Sequence, residues 1–375
     1  MIRTRLRKTH MRGCSLDSSV SGLVLRRDSK LKTRDLSAYA SAFLRTAVVL
    51  SCLYVGSAGH ASAQSIPPIL VAYAGQNETV GPMWVGIEKG TFRKHGLDVR
   101  LVQMRNGSLS MATLVSGQVQ YNYGSPANAL SATAGGVRIQ CTASAVHKIP
   151  RELIARKESR TMEELRGKTF GVQSIGGGFW LQTMIALEYL GIDPEKYDLK
   201  MRVLGDTATV TQALGSGGVD ATVIPYSFSE AAKRGGANVL ADIGKLDIPY
   251  QGTTICFPRE RVAESGDSIV RLLRGLVDAV VMIHDPSARA DVTEILRKAF
   301  RFPKTEDADA SYRVLGLMAT VDLMPDPAAW KIVQRIVSRI SPKVAQVDLN
   351  QLINPAFVRN LEESGYLAEA RKKVR

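Results

Sequence analysis

The chain is poor in the groups that do chemistry on their own. Its 375 residues hold four cysteines, five histidines and three tryptophans. Beyond residue 63 the cysteines are Cys141 and Cys256, too few for a disulfide framework and too far apart for a Cys-x-x-Cys metal site. The histidines there, His95, His147 and His284, stand alone without a His-Glu-x-x-His or comparable cluster, which excludes a metal centre of familiar spacing. Acidic residues are in deficit, 35 Asp and Glu against 49 Lys and Arg, for a formal charge of +14.

Much of that basic excess sits at the amino terminus. Residues 1–63 carry 11 of the Lys/Arg and 3 of the Asp/Glu, leaving 38 against 32 and a net of about +6 for the remainder. A basic region to residue 41, an apolar run from Thr46 to Ala58 and then Ala61-Ser62-Ala63 describe a secretory signal peptide cut before Gln64. The run is too short and too interrupted to span a bilayer. The basic surplus therefore belongs to export, and no nucleic-acid partner is expected. The modest remaining bias suits an anionic ligand or an acidic partner. With 45% hydrophobic and 22% charged residues, the rest has ample length for two lobes or one large domain.

What is present is a glycine turn. Phe170–Gln173 reads as a buried strand, Ser174-Ile175-Gly176-Gly177-Gly178 as a turn, and Phe179–Leu190 as a helix closed by Gly191. A strand that turns through glycines into a helix leaves backbone N–H groups at the positive helix end, where an anion is stabilised. A P-loop is excluded because Phe179-Trp180 follows where Lys-Ser/Thr is needed. A nucleophile elbow would need glycine at Val172, ahead of Ser174. A turn that only lets helix and strand pack closely stays open beside the anion site.

Strands alternate with helices along the chain. Ile69–Ala74, Leu97–Met104, Val119–Tyr123 and Val137–Ala143 read as strands. Gly81-Pro82, Asn106 or Ser108, and Ser125-Pro126 open the helices between them. This spacing predicts an α/β fold with a mostly parallel sheet covered on both faces. Leu114-Val115-Ser116-Gly117-Gln118-Val119 returns one hundred residues later as Leu214-Gly215-Ser216-Gly217-Gly218-Val219, with Ser108 and Thr207 as cap candidates, so two similar lobes are expected. From Asp267 the chain is nearly all helical; Trp330, Val333, Ile336, Val337 and Ile340 form a stripe assigned to core.

These pieces resemble a known family. Gly81-Pro82 through Gly90-Thr91-Phe92 with Gly96-Leu97-Asp98-Val99, then Ser116-Gly117-Gln118-Val119, Glu164-Leu165-Arg166-Gly167-Lys168-Thr169 and Gly218-Val219-Asp220-Ala221 follow in order. The chain is similar to substrate-binding proteins of ABC importers in the nitrate/sulfonate/taurine-binding group, which includes the thiamine-pyrimidine-synthesis-like proteins. The resemblance implies a two-lobed periplasmic-binding-protein fold of type II with a helical C-terminal extension. It divides the chain into residues 64–150 (lobe 1), 151–251 (lobe 2) and 252–375 (return to lobe 1 and C-terminal helices). The iron-associated cysteine run of the pyrimidine-synthesis enzymes is missing, and residues 74–82 lack the cysteine nucleophile of desulfinases on this fold.

Carried over residue by residue, the resemblance lines the cleft with Tyr73, Gln76, Asn106, Ser108, Gly124, Ser125, Ser174, Gly176, Gly177, Asp206, Thr207 and Tyr226. Trp84, Phe179 and Trp180 are the aromatic walls. Asn106, Ser125 and Thr207 have a second reading as plain helix caps. Cys141 and Cys256 fall in strands near the lobe crossings. A cross-strand disulfide is open to them in an oxidising compartment, but two buried free thiols are the favoured expectation. The expected function is capture of a small organic anion, such as a sulfonate, carboxylate or nitrate-like solute, by a monomeric periplasmic receptor that delivers it to an inner-membrane ABC permease. No cofactor, metal or catalytic residue is expected. An enzyme using Ser174 or a cysteine, and a receptor serving a sensor, are the alternatives.

Overall fold

Two five-stranded sheets are built from the same repeating grammar of strand, glycine-stopped helix and strand. The computed structural model describes residues 67–374. The expected signal peptide and its cleavage site lie outside the described residues.

The first sheet takes β1 (Pro68–Ala74), β2 (Asp98–Met104), β3 (Tyr121–Gly124), β4 (Ile139–Ser144) and a late strand, β10 (Thr254–Pro258), in the order β2-β1-β3-β10-β4. The second takes β5 (Arg151–Ala155), β6 (Thr169–Val172), β7 (Lys200–Val203), β8 (Ala221–Pro225) and β9 (Asn238–Asp242), in the order β7-β6-β8-β5-β9. The two orders are equivalent. In each, three parallel strands are followed by an antiparallel strand and then an edge strand. The antiparallel strands are those entering from the other sheet, β5 after β4 and β10 after β9. Residues 145–150 and 243–253 therefore form the two crossings. They touch at backbone level: a Cβ on Gly252 would stand 1.8 Å from the Val146 carbonyl oxygen.

The longer helices of the first half are α1 (Gly81–Glu88), α2 (Gly107–Val115) and α3 (Pro126–Ala134), with a single helical turn at Thr91–Lys94. Pro82 lies in the first turn of α1, and Pro126 in that of α3. Fixed φ and a missing N–H cost nothing there. The second half contributes α4 (Gly178–Tyr189), α5 (Thr207–Ser216) and α6 (Tyr226–Arg234). The sequence echo is a structural one, since α2 leads into β3 as α5 leads into β8. One cap is as expected and the other is offset by one residue. Asn106 caps α2, its Oδ1 accepting from Leu109 N, and Asp206, not Thr207, caps α5 by accepting from Thr209 N.

The C-terminal part is helical: α7 (Arg261–His284), α8 (Arg289–Phe300), α9 (Thr305–Met318), α10 (Pro327–Ser338), α11 (Ala356–Glu363) and α12 (Tyr366–Lys373). Helix α7 packs on α1 and on the first sheet. Helix α10 lies against both α3 and α4, and its Arg335 and Arg339 pair with Glu188 of α4. Trp330, Val333, Ile336 and Val337 of α10 are buried as the stripe predicts. Ile340 is 45% exposed, because the helix has already ended at Ser338. Among the described residues no helix is long and apolar enough to cross a membrane.

Cys141 and Cys256 stand opposite each other in the β4–β10 register and form a disulfide. This corrects the expectation of free thiols. Each cysteine does lie in a buried strand, but cross-strand register brings their Cα atoms to 4.0 Å, and register between strands 115 residues apart cannot be read from either strand alone.

Candidate functional site

Between the two sheets a cavity of about 60 Å³ is closed by residues from both lobes. The first lobe supplies Ala74 and Gly75 at the end of β1, Asn77, Thr79, Val80, Gly107 at the start of α2, and the Tyr123–Ser125 corner with Asn128 of α3. The second supplies Arg151 on β5, Gln173 after β6, and Gly178, Phe179 and Gln182 of α4, with Tyr250 and Thr253 from the second crossing. Several helix N-termini meet here because each strand of a parallel set ends at this edge of its sheet, and the following helix begins there.

Arg151 is the residue of greatest consequence. Its guanidinium is buried, with 5% of the residue exposed, and no carboxylate lies within ion-pair distance of it among the described residues. Nε donates to Gln182 Oε1, Nη1 donates to Val223 O at 3.2 Å, and the group lies 4.6 Å over the Phe179 ring. Gln182 in turn donates from Nε2 to Tyr250 OH at 2.6 Å, so the arginine is aimed by a buried polar chain. Its Nη2 has no hydrogen-bond partner among the described residues. Burial pushes the guanidinium down to about 10, a shift moderated by Tyr250 and Glu78 nearby. It is nonetheless cationic at neutral pH. Burying an unpaired charge is costly unless something else pairs it.

The first turn of α4 faces the same space. Gly177 is its N-cap and offers no side-chain cap, so the first-turn N–H groups are not satisfied by a cap side chain. The left-handed glycine of the turn is Gly176, at φ +75°, whereas Gly177 is extended at φ −82°. The lobes approach closely at this point. A Cβ on Gly178 would lie 2.7 Å from Ser125 Cβ, so only glycine admits the other lobe here.

The expected site residues separate into three groups. Gly124, Ser125 and Phe179 line the cavity. Ser174, Gly176 and Gly177 form the turn behind it. Ser174 Oγ is the atom a Gly177 Cβ would strike, at 2.4 Å, and it has no hydrogen bond to a histidine or carboxylate among the described residues. Thr207 acts through a neighbour, its hydroxyl accepting from Gln173 Nε2. Asn106 is spent on capping, while Ser108 Oγ accepts from Asn128 Nδ2 at 3.4 Å. Asp206 faces the opposite lobe and pairs with Arg105 at 3.5 Å.

The rest lie elsewhere. Tyr73, Gln76 and Trp84 turn to an outer groove where α8 covers the sheet edge: Gln76 Nε2 donates to Ala299 O at 2.6 Å, and Trp84 meets Phe300 edge-on. Trp180 is buried in the core beneath α4. Tyr226 bonds Asp242 and faces a groove between α6 and α9. For Gln76 and Trp84 the reason is α8, which covers the surface that local sequence offers to the cleft. The converse omission is Arg151. The visible signal was a cation opening the apolar strand segment Leu153-Ile154-Ala155, next to the lobe crossing.

With this geometry in place, the chain can be set beside known proteins. The family described as NMT1/THI5 like matches residues 77–288. YtlA of Bacillus subtilis (strain 168), provisionally named a binding protein, is 23% identical over 78% of this chain and 89% of its own length. The alkanesulfonate-binding protein SsuA from Xanthomonas axonopodis pv. citri, bound to MOPS, shares the fold at TM-score 0.62 and 17% identity, over 77% of this chain and 98% of SsuA. The periplasmic nitrate-binding protein NrtA from Synechocystis PCC 6803 does so at TM-score 0.64 and 12% identity, over 82% and 91%. The architecture is the two-lobed periplasmic-binding-protein fold. With the profile covering more than half its length, the chain belongs to the NMT1/THI5-like family.

Proposed function

We propose that this chain is a solute receptor that traps a compact, hydrophilic anion between its lobes and delivers it to an ABC permease. The observation that carries this reading is Arg151, a buried cation at the interlobe cavity with no carboxylate partner and one unengaged guanidinium edge. An anionic ligand supplies the missing charge. Its oxygens take hydrogen bonds from the guanidinium and from the first turn of α4, where the helix dipole adds to them.

Size and lining narrow the ligand. A cavity of about 60 Å³ holds about four to six water-sized positions. Apart from Arg151, Phe179, the two tyrosines, Ala74 and Val80, the wall is amide, hydroxyl and glycine. That favours a small oxyanion or short carboxylate over a sulfonate with a long apolar body. The relatives named for alkanesulfonate and nitrate bracket this range of sizes.

Periplasmic residence is supported by the leader read in the sequence and by a disulfide, which persists in oxidising compartments. Both cysteines beyond residue 63 are committed to that bond, which disfavours a thiol enzyme. Release requires the lobes to part about the crossings 145–150 and 243–253, and a ligand touching both lobes favours the closed form through its differential affinity.

The test is calorimetric titration of the exported protein with nitrate, formate, acetate, methanesulfonate and octanesulfonate, with acetamide and urea as neutral counterparts. Binding of one or more compact anions, with octanesulfonate and the neutral compounds inert, is expected. Binding of the neutral compounds but none of the anions overturns the reading.

A further inference from the structure

Glu78 occupies an unusual place. It opens a single 3-10 turn, Glu78–Val80, and its neighbours Asn77 and Thr79 both line the cavity. Its own side chain is fully buried, with Oε2 unpartnered among the described residues. Oε1 accepts from Ser227 N at 3.0 Å and from Ser311 Oγ at 3.2 Å. Ser311 belongs to α9, but Ser227 is the second residue of α6, in the other lobe. Both partners line the outer groove between α6 and α9. Glu78 thus stands between the inner cavity and the outside.

Helix α6 has no side-chain cap of its own; the residue at its cap position is Pro225. The Ser227 N–H belongs to the first turn, whose donors find no partner within a helix. Glu78 therefore caps α6 from across the cleft. A cap from within the same lobe would persist when the lobes part, whereas this one exists only when they meet. The geometry points to Glu78 as the clasp of the closed state: a positioning residue that holds the lobes together by completing a helix N-terminus in trans, without touching the solute.

The bond needs an acceptor more than a charge. Burial pushes the Glu78 carboxyl above its ordinary range, against the hydrogen bonds from Ser227 and Ser311 that pull it down. A neutral acid still offers its carbonyl oxygen to Ser227 N. Glutamine preserves that oxygen and alanine removes it. A hydrogen bond of this kind, lost only from the closed form, lowers the closed-to-open ratio by roughly five- to a hundredfold. In the open form Ser227 N returns to water while Glu78 keeps Ser311 on its own side, so only the Ser227 bond distinguishes the two forms.

This inference rests on the two-lobed receptor reading but not on the identity of the solute. The experiment labels exposed Ser116→Cys in the first lobe and Glu195→Cys in the second with a donor–acceptor dye pair, on the exported chain with its native disulfide. Single-molecule distances then report the closed fraction without added solute and with each of the anions named above. Glu78→Ala is expected to deplete the closed population by the stated factor, and Glu78→Gln to keep it within about threefold of wild type. Melting curves without solute confirm that both variants remain folded, with Glu78→Gln expected to match wild type. An Arg151→Met control should lose the anion-driven shift and keep the Glu78-dependent part, which separates failure of the clasp from failure of the anion reading. The clasp is overturned if Glu78→Ala closes like wild type. It is equally overturned if Glu78→Gln falls as far as Glu78→Ala, or if wild type shows no closed population under any condition.

Discussion

Replacing Arg151 by methionine tests the charge logic of the cavity most directly. Methionine nearly fills the same volume and keeps an apolar face toward Phe179, but removes the cation and all its donors. A hydrogen bond to a charged group contributes about 1.5–3 kcal/mol, and truncating one member of a buried charge pair costs about 2–5 kcal/mol. A loss of about 3–4 kcal/mol corresponds to roughly 150- to 1,000-fold weaker binding of the anion. Stability should move little, because two effects oppose each other. Removing an unpaired buried cation relieves its desolvation, while Gln182 Oε1 and Val223 O lose their donor at about 1–3 kcal/mol each. Arg151→Lys retains the charge without the planar fork and should fall between the two. Although burial pushes the wild-type Arg151 pKa down, the guanidinium remains charged, so anion affinity should stay flat across the neutral range. The assay is calorimetric titration of wild type and both variants with whichever compact anion binds, beside melting curves. Equal affinity in wild type and Arg151→Met, with both folded, would refute the assignment of Arg151 as the anion's counter-charge.

Three further outcomes follow. Thiol titration of the exported chain, denatured without reductant, should find no free thiol; the double variant Cys141→Ala, Cys256→Ala should lose about 4–5 kcal/mol of stability on the chain-entropy account of a loop this long, read by denaturant unfolding. Gly178→Val should leave melting nearly unchanged but block closure, since a side chain there meets Ser125 across the cleft, so scattering should show no compaction with a ligand that compacts wild type. His147 is held below its ordinary value by burial, against Asp322, a Ser144 backbone bond and Asp326, so the unfolded chain takes up that proton first as pH falls. Stability should therefore decline below about pH 6.5, and His147→Asn should remove that part of the slope in urea titrations at several pH values.

Short-range physics made much of the architecture legible in the sequence. Pro82 and Pro126 sit in first helical turns, Gly117 and Gly217 stop equivalent helices, and the repeat at Leu114 and Leu214 announced two lobes, because each of these depends on residues a few positions apart. The turn from Ser174 to Gly178 was legible as a helix N-terminus for the same reason. What could not be read was which side chain the fold would leave in the cleft. Trp84 looked like a cleft wall, but it meets Phe300, more than two hundred residues away, and Tyr73 packs against Trp84. Arg151 was not singled out by local sequence, and it becomes the buried charge of the cavity only because α4 and the second crossing close over it. The same holds for Glu78, whose partners come from α6 and α9, and for Cys141 and Cys256, paired by a register 115 residues apart. Helix caps, turns and periodicity are local free energies and are written in local sequence. Burial, unpaired charge and cross-lobe contact depend on how distant surfaces meet, and in this protein only the tertiary structure decided them.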